Sequence, residues 1–373
     1  MADGTTFVGL DVHVATIAIA VVRGDGVAQE LGMLPNTPAA LAKRLRKLGP
    51  PALLRVCSEA GPCGYGIYRQ LTELGIACTV VAPSLIPVRP GDRVKTDRRD
   101  AVKLARLLRS GDLTAVAVPT PEQEALRALS RARETATNDR HRARQRLVKF
   151  LAQQRIAEPA SGKRWTKTYW TWVTGVTLPL PAAQIVLDEL RDAITTEQER
   201  LTRLTAALTE LAQTGAQAPV VAALQTLHGI GLITAVGIVA EVGDLTRFDR
   251  PPQLMAYAGL VTSEHSSGGR QSRGGITTTG NRHLRYLLVE AAWHYARPIR
   301  LSGPAPATPE ERIAQQARER LSRRYFRLLS RGKPKQVATV AVARELLGFV
   351  WAMAQAVAAT PAVAPEATEP LAA

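Results

Sequence analysis

Cysteine is scarce in this sequence, which is 373 residues long and contains only Cys57, Cys63 and Cys78. These three form no Cys-x-x-Cys pair, and an odd number argues against a disulfide framework. A reducing compartment is therefore the simpler interpretation. The sequence also has no run of 18 or more apolar residues, and its start, MADGTTF, has no basic region before an apolar segment. We expect a cytoplasmic protein without a membrane partner.

Acidic residues are few relative to basic ones. The chain has 32 Asp and Glu against 48 Lys and Arg, which gives a formal net charge of +16. Cationic side chains displace the counterions that condense on nucleic acid, so this excess favours a polyanionic partner. A basic protein without such a partner, or one that binds anionic lipid, is the alternative. Hydrophobic residues make up 46% of the chain, which excludes disorder in bulk.

The N-terminal third alternates strand and helix patterns. Residues 7–23 are β-branched and broken by turn signals, which predicts a strand pair, and residues 51–58 and 76–83 predict two further buried strands. Residues 65–74 and 98–109 carry apolar positions at helical spacing. Strands that alternate with helices predict an α/β domain.

The middle of the chain has heptad spacing. In residues 187–211, with Glu197 as the polar exception, the a and d positions are apolar: Leu187, Leu190, Ile194, Leu201, Leu204, Leu208 and Leu211. Residues 122–156 follow a poorer register, which Arg133 and Arg140 interrupt. The two segments predict a helical coiled-coil region, either as an antiparallel pair within one chain or as a dimerisation stalk.

Between and within these segments lie two candidate nucleic-acid surfaces. Trp165, Trp170 and Trp172 are interleaved with Lys and Arg, and such aromatic side chains either stack on bases or form a cluster beneath a loop. Residues 131–149 hold seven Lys or Arg and two acids. That stretch is either an RNA or DNA face or a solvated helix face.

The C-terminal part is mainly helical in pattern. Residues 227–243 place a Gly-x-Gly turn between apolar stretches, as in a helix-hairpin-helix whose backbone N–H groups point at a phosphate. A tight packing turn between two helices is the equal alternative. Residues 281–295 predict a helix with an apolar face and with Arg282 and Arg285 on another face. The Ala- and Pro-rich end predicts a disordered tail.

Four carboxylates of the N-terminal third form the candidate catalytic set. Asp11 lies inside the apolar strand FVGLDVHV, where an ionised carboxylate is costly unless it is paired or binds a metal. Glu59 directly follows the next strand, and Asp97 and Asp100 are spaced i, i+3 at the start of a helix. Four such groups can converge on two divalent cations, which stabilise the attacking and leaving oxygens of a phosphoryl displacement.

Helix capping is the alternative for two of these acids. Asp97 would be an N-cap, and Asp100 would be its capping-box partner. Capping does not explain Asp11, because that residue lies inside a strand.

The segments VGLDVHVATIAIAVV, CSEAGPCGYGIYRQL and VKTDRRDAVKLARLL resemble the nuclease domain of the "insertion sequence one-ten" transposase family. The Lys-Thr-Asp-x-x-Asp-Ala run at residues 95–101 is the most distinctive piece. The resemblance implies an RNase H-like (RuvC-like) α/β fold of the DEDD type. It also implies that Asp11, Glu59, Asp97 and Asp100 hold magnesium, with two Mg²⁺ ions expected.

Residues 254–293 are similar to the second conserved domain of that family, in which a serine directly before a glycine attacks DNA. Ser267 holds that place here, and the preceding Ser266 is its competitor. A serine nucleophile must lose its proton, and either His265 or the metal-bound carboxylates would accept it. The basic residues expected to neutralise phosphate charge beside the serine are Arg270, Arg273, Arg282 and Arg285.

The resemblance extends from residue 6 to residue 355 and implies four parts. These are a RuvC-like domain at 1–120, a helical coiled-coil stalk at 121–218, a mainly α transposase domain with the serine and the helix-hairpin-helix-like segment at 219–358, and a tail at 359–373.

The function implied by the resemblance is mobilisation of an insertion sequence. DNA would be cut and rejoined through a covalent phosphoserine by a dimer or tetramer, guided by a structured RNA that the element encodes. Two alternatives stay open from the residues alone. A structure-selective junction-resolving nuclease would need the acids but not the serine, and a non-enzymatic nucleic-acid-binding protein would need neither.

Overall fold

The computed structural model describes residues 4–24, 26–61, 63, 65–87, 96–160, 163–264, 266–269, 271–298 and 306–360. The chain divides into two compact units, Met1–Pro119 and Thr120–Ala373. Three residues named above, Lys95, His265 and Arg270, lie outside the described residues, as does the tail from residue 361 onward.

The first unit contains a five-stranded sheet of order β3-β2-β1-β4-β5. Its strands are β1 (Thr6–Val12), β2 (Thr16–Arg23), β3 (Ala28–Pro35), β4 (Leu54–Glu59) and β5 (Ala77–Val81). The first three pair antiparallel, whereas β4 runs parallel to β1 and β5 runs parallel to β4. The carboxyl ends of β1, β4 and β5 therefore lie at one edge of the sheet.

Helices cover both faces of this sheet: α1 (Pro38–Arg46), α2 (Gly66–Glu73) and α3 (Asp97–Ser110). On one face, Val8 and Leu10 of β1 form an apolar core with Leu41 of α1 and Leu71 of α2. On the other face lies α3, which packs on β1 and β2. The mixed α/β N-terminal region predicted from the sequence is confirmed, although β3 and α1 were not predicted.

Small residues allow α3 to approach the sheet closely. A Cβ on Gly9 would lie 2.2 Å from the carbonyl oxygen of Ala101, so only glycine fits at this point. Ala18 and Ala20 of β2 are fully buried and cluster with Ala101. This close contact fixes the start of α3 relative to β1.

The second unit is mainly helical, as predicted. Its helices are α4 (Pro121–Gln153), α5 (Lys167–Gly175), α6 (Pro181–Thr214), α7 (Ala218–Leu224), α8 (Leu232–Val242), α9 (Pro251–Tyr257), α10 (Arg282–Ala292), α11 (Pro309–Ser330) and α12 (Lys335–Ala359). A two-stranded hairpin, β6 (Thr262–Glu264) and β7 (Arg273–Ile276), lies between α9 and α10.

Helix α12 is long and apolar enough to cross a membrane, but half of its most apolar window is buried inside the protein. It packs against α7, α9, α10 and α11. Buried residues along it, such as Val342, Leu346 and Val350, belong to the largest apolar core of the unit. These contacts are those of the central helix of a folded domain.

The two long helices α4 and α6 pack against each other within the chain. Arg133 Nε donates to Thr205 Oγ1 at 2.9 Å, and Arg140 Nη1 donates to Gln198 Oε1 at 2.6 Å. Residue numbers rise along α4 as they fall along α6, so the pair is antiparallel. Each helix is about 50 Å long. The antiparallel alternative for the heptad segments is therefore confirmed.

The aromatic residues near α5 pack into the apolar core at one end of this helix pair. The rings of Trp165 and Trp172 each lie 5.3 Å from the ring of Tyr169. All three contact the core that contains Leu147 and Leu187. This packing favours the aromatic cluster over a free base-stacking platform.

Candidate active site

Asp11 occupies the carboxyl end of β1 on the face covered by α3. It lies opposite Ala18 in the antiparallel pair, and Ala18 packs towards α3. Its side chain is only 14% exposed. Burial raises the pKa of the Asp11 carboxyl; the nearby His13 opposes that rise, and the carboxylates of Asp97 and Asp100 add to it. Asp11 therefore lies where negative charge is concentrated.

The start of α3 brings two further acids to this place, and neither of them caps the helix. Thr96 is the N-cap, because its Oγ1 accepts a hydrogen bond from the backbone N–H of Arg99. Asp97 and Asp100 follow it in the first turn of the helix. The alternative in which Asp97 is the N-cap and Asp100 its capping-box partner is therefore wrong.

His13 completes a cluster of possible metal ligands that sequence reasoning missed. Its Nε2 lies 3.5 Å from Asp11 Oδ2 and 3.3 Å from Asp97 Oδ1. One ligand atom from each of these three residues lies within 4.8 Å of the other two. The signal in the sequence was the i, i+2 spacing from Asp11, which places both side chains on one face of an extended segment.

Glu59 lies at the same sheet edge, at the end of the adjacent strand β4. Leu10 pairs with Ser58 in the parallel β1–β4 register, so Glu59 is next to Asp11 along that register. Strand side chains alternate between faces. Cys57, two residues before Glu59, contacts the Leu104 carbonyl of α3 through its Sγ. Alternation thus assigns Glu59 to the α3 face, the face on which Asp11 lies.

The predicted nucleophile Ser267 lies in the second unit, between β6 and β7. It is exposed and precedes Gly268 and Gly269, whose φ angles are +53° and +82°. The adjacent Ser266 differs, because its Oγ donates to Glu264 Oε1 at 2.8 Å. The other oxygen of Glu264 lies 3.5 Å from Nε of Arg273. Ser266 is therefore the serine that is held by a carboxylate.

The two predicted phosphate-contacting arginines of α10 have different surroundings. Arg285 is half-buried and donates from Nη1 to the Ala258 carbonyl at 2.8 Å, so part of its guanidinium stabilises the backbone. Burial and the neighbouring Arg282 lower the pKa of Arg285. Arg282 is exposed and forms no ion pair with the residues that the structure describes.

A buried carboxylate, Glu241, ties this region together and was not predicted. Its side chain is 2% exposed and accepts two hydrogen bonds from Arg131, at 2.7 and 2.9 Å, and one from Asn281 at 2.8 Å. Asn281 also caps α10 by accepting from the N–H of Leu284. Glu241 thus fixes the start of α10 to both α4 and α8.

The Gly-x-Gly turn between α7 and α8 packs against the end of α10. Gly229 has a φ of +86°, and a Cβ there would lie 2.5 Å from the Ala291 carbonyl oxygen. The ring of the preceding residue, His228, lies 5.2 Å from that of Tyr295. These contacts favour the packing turn over a phosphate-binding hairpin.

Comparison with known proteins gives matches in both units. The family model described as "Transposase IS116/IS110/IS902 family" matches residues 221–301, and the model for the DEDD transposases of IS110 matches residues 8–155. These two ranges contain all four carboxylates and Ser267.

Relatives cover most of the chain. "Putative transposase y4qE" of Sinorhizobium fredii is 42% identical over 359 residues, which are 94% of this chain and 88% of the relative. "Transposase for insertion sequence element IS1533" of Leptospira borgpetersenii is 29% identical over 297 residues, 78% of this chain and 86% of the relative. "Transposase for insertion sequence element IS1111A" of Coxiella burnetii is 27% identical over 263 residues, 69% and 71% of the two chains.

An acid-bearing α/β unit joined to a helical unit, both matched by transposase models, defines a DNA transposase. The chain belongs to the IS110 family of insertion-sequence transposases. Its substrate is DNA, and its role is DNA transposition. Members of the DEDD group use divalent metal, and the cluster around Asp11 is the candidate place for it.

Proposed function

We propose that this transposase cuts and rejoins DNA with a two-metal carboxylate site in the first unit and with Ser267 as the nucleophile. The observation that carries the proposal is the meeting of Asp11, Asp97 and His13 at the end of β1, with Asp100 beside them. The five-stranded mixed sheet, with α3 across one face and the acids at its edge, supports an RNase H-like (RuvC-like) fold for this unit.

The residues at this site fit a magnesium ion. Carboxylate oxygens are the ligands that Mg²⁺ prefers, and a bound cation would offset the burial and the repulsion that together raise the pKa of Asp11. We assign the ions to Asp11, Glu59, Asp97 and Asp100, and we assign His13 to positioning the Asp11 and Asp97 carboxylates. When bound, the two ions stabilise charge on the attacking and leaving oxygens.

Ser267 would act by a covalent phosphoryl transfer. Its Oγ–H loses the proton to a base, an Oγ–P bond forms, and the P–O bond to one deoxyribose oxygen breaks, with that oxygen taking up a proton. A deoxyribose hydroxyl of the partner strand then attacks the same phosphorus and releases the serine. Because the phosphoserine conserves the bond, rejoining needs no external energy source.

The choice of Ser267 over Ser266 has support in the hairpin. Ser267 directly precedes two glycines with positive φ, which leave room for a phosphodiester to approach its hydroxyl. The exposed cations Arg273 and Arg282 would contact phosphates, as would Arg270 and Arg285. The four-part domain division predicted from the sequence is part of this proposal.

We also propose three properties of the working complex. A structured guide RNA encoded by the element would direct the protein, supported by the +16 charge and by the exposed basic positions of α4. The active form would be a dimer or tetramer. The protein would act in the cytoplasm, as expected of an enzyme of mobile DNA.

A strand-exchange assay with the full-length protein, its element ends and its guide RNA tests the proposal. Each single replacement of a proposed metal ligand should strongly reduce strand exchange. The loss should exceed the roughly 10- to 100-fold effect of removing a residue that only supports a ligand. The replacements are Asp11→Asn, Glu59→Gln, Asp97→Asn and Asp100→Asn. DNA binding should stay near the wild-type level. Glu73→Gln, an exposed acid of α2, is the matched control and should be active.

Two outcomes would contradict the proposal. If Asp11→Asn still carries out strand exchange, the proposed metal site at Asp11 is not required for the reaction. If the wild-type protein, with Ser267 intact, always cleaves DNA in a metal-dependent way but never rejoins it, the junction-resolving nuclease is favoured.

A further inference from the structure

A groove of about 550 Å³ lies within the second unit between α4 and α10. Its walls are polar or aromatic, and the residues that line it are Arg131, Glu134, Thr135, Asn138, Arg282, His283 and Tyr286. The α4 residues recur at i, i+3, i+4 and i+7, so they form one face of that helix. A volume of this size lies within the range of pockets that hold small organic ligands.

A hydrogen bond and an ion pair hold the walls of the groove in place. Nδ1 of His283 lies 2.7 Å from Oε2 of Glu134 and so joins α10 to α4 across the groove. Arg131 makes two hydrogen bonds to the buried Glu241. These contacts fix the side chains before any ligand arrives, which lowers the entropic cost of binding.

The guanidinium of Arg282, which lines the groove, has no acidic partner among the described residues. Arg282 is exposed, forms no ion pair within the described part of the chain, and lies in the first turn of α10, which holds no acid. A cation at the positive end of a helix dipole is unfavourable unless an anion is present. The groove therefore offers its open charge to an anion such as a phosphate.

An aromatic ring lies one helical turn from that charge. Tyr286 is at i+4 from Arg282 and is 51% exposed, which is high for a large aromatic side chain in a packed helical unit. Exposed rings beside cations stack on nucleic-acid bases. On the opposite wall, Thr135 and Asn138 are exposed and can hydrogen-bond to base edges.

A basic track leads away from the groove along α4. The exposed face that carries Thr135 and Asn138 continues at helical spacing with Arg142, Arg146 and Lys149, of which Arg142 is also paired with Asp139. From Asn138 to Lys149 this face extends about 16 Å at 1.5 Å per residue. A mononucleotide would not reach along it, whereas the backbone of a polynucleotide strand would.

We propose that the α4–α10 groove binds one unpaired nucleotide of a nucleic-acid strand. The base stacks on Tyr286, the phosphate contacts Arg282, and the strand continues over Arg142, Arg146 and Lys149. The inference depends on the proposed function only in taking the substrate complex to contain nucleic acid with unpaired bases. The same chemistry fits an unpaired stretch of DNA or of RNA, and binding assays with each distinguish these sources.

Fluorescence anisotropy with the full-length protein tests the groove. The probes are single-stranded DNA, single-stranded RNA and duplex DNA of one sequence, each measured at several salt concentrations. Tyr286→Ala should weaken single-strand binding by roughly 5- to 150-fold, while Tyr286→Phe should bind like the wild type because it keeps the ring. A larger effect with the DNA or with the RNA strand identifies the ligand.

Salt dependence separates the roles of the two α10 residues. Arg282→Gln should lower the slope of log K against log salt by roughly 0.7, the value for one phosphate contact on a single strand, whereas Tyr286→Ala should leave the slope unchanged. Arg323→Gln, which removes an exposed arginine of α11, is the matched control. Photocrosslinking of a 5-iodouracil oligonucleotide should place the linked peptide in α10, at Tyr286.

The inference is overturned if Tyr286→Ala binds every single strand within about 2-fold of wild type and the crosslink maps elsewhere. It is also overturned if duplex binding falls as much as single-strand binding, since a paired base cannot stack on the ring. Neither result would contradict the proposed carboxylate site. That site is tested separately, by the strand-exchange activity of Asp11→Asn.

Discussion

The Asp11 carboxylate lies among groups that disfavour its charge. Burial raises its pKa, His13 partly opposes that, and Asp97 and Asp100 add repulsion. A raised carboxyl pKa means that the protonated form stabilises the fold and that this stability is lost as pH rises through the folded-state pKa. At neutral pH, without metal, Asp11 therefore opposes folding of its own domain.

This opposition gives a prediction for metal removal. In chelator at pH 7, Asp11→Asn should melt higher than the wild type, because the amide carries no charge in this buried, acidic place. Adding Mg²⁺ should raise the melting temperature of the wild type more than that of Asp11→Asn. Differential scanning calorimetry measures both shifts. A lower melting temperature for Asp11→Asn in chelator, with equal Mg²⁺ shifts for the two proteins, would count against a metal at Asp11.

Features that depend on local sequence were the ones that could be predicted. Asp11 was proposed as a site residue because an acid inside an apolar strand is visible in the sequence itself, and the structure places it beside Asp97. The N-cap alternative for α3 named Asp97, one residue after the true N-cap. The side chain of Thr96 accepts the hydrogen bond from the backbone N–H of Arg99. Arg285 was grouped with exposed cations because its acceptor, the Ala258 carbonyl, lies 27 residues away.

At the scale of elements, Glu241 connects three helices through one buried carboxylate. It lies at the end of the apolar α8, and its partner Arg131 lies 110 residues earlier, so no spacing rule reveals the pair. Burial acts to raise the pKa of Glu241, but hydrogen bonds from Arg131 and Asn281 outweigh it and hold the pKa below its ordinary value of 4.5. The stability from this carboxylate is present above that ordinary pKa and is lost as pH falls through the folded-state pKa.

Glu241→Gln should therefore lower the free energy of unfolding at pH 7 by about 1–3 kcal/mol, the cost of leaving a buried polar partner poorly satisfied. Its stability should also vary less than that of the wild type as the pH is lowered from neutral to below the ordinary carboxyl pKa of 4.5. Urea unfolding over that range is the measurement, with the exposed Glu290→Gln of α10 as control. If the free energies of unfolding of the wild type and Glu241→Gln change in parallel with pH, the ionisation of Glu241 does not contribute to stability.

The elements missed from the sequence are those with weak patterns. The edge strand β3 has mostly exposed or half-exposed residues and one buried side chain, Leu34, so it lacks the run of β-branched apolar residues that predicted β1 and β2. In α6 the heptad pattern was correct, but the burial is uneven. The a positions Leu187, Ile194, Leu201 and Leu208 are buried, whereas the d position Leu211 is 48% exposed.

At the scale of the whole molecule, the apolar face of α6 is already covered by α4, so residues on that face cannot be used to test self-association. Leu201 is buried within the chain, so a charge there would disrupt the helix pair itself. Ile185 and Val186, near the start of α6, are 64% and 44% exposed. These exposed apolar side chains are the place at which the proposed self-association can be tested without disturbing the α4–α6 pair.

The double substitution Ile185→Glu with Val186→Glu should reduce the oligomer mass in multi-angle light scattering. The helical signal in circular dichroism should stay at the wild-type level, since both side chains point to solvent. Thr202→Glu, at an exposed polar position of α6, should leave the mass unchanged. An unchanged mass in the double variant would show that association, if it occurs, uses another surface.

Covalent capture tests the central claim of phosphoserine chemistry most directly. The full-length protein is incubated with Mg²⁺, guide RNA and end-labelled element DNA, denatured, digested and mapped by mass spectrometry. We predict a denaturant-resistant adduct on Ser267 that is lost in Ser267→Ala and in Asp11→Asn but kept in Ser266→Ala. Cleaved DNA with no adduct, or an adduct on Ser266, would contradict the assignment of Ser267 as the nucleophile.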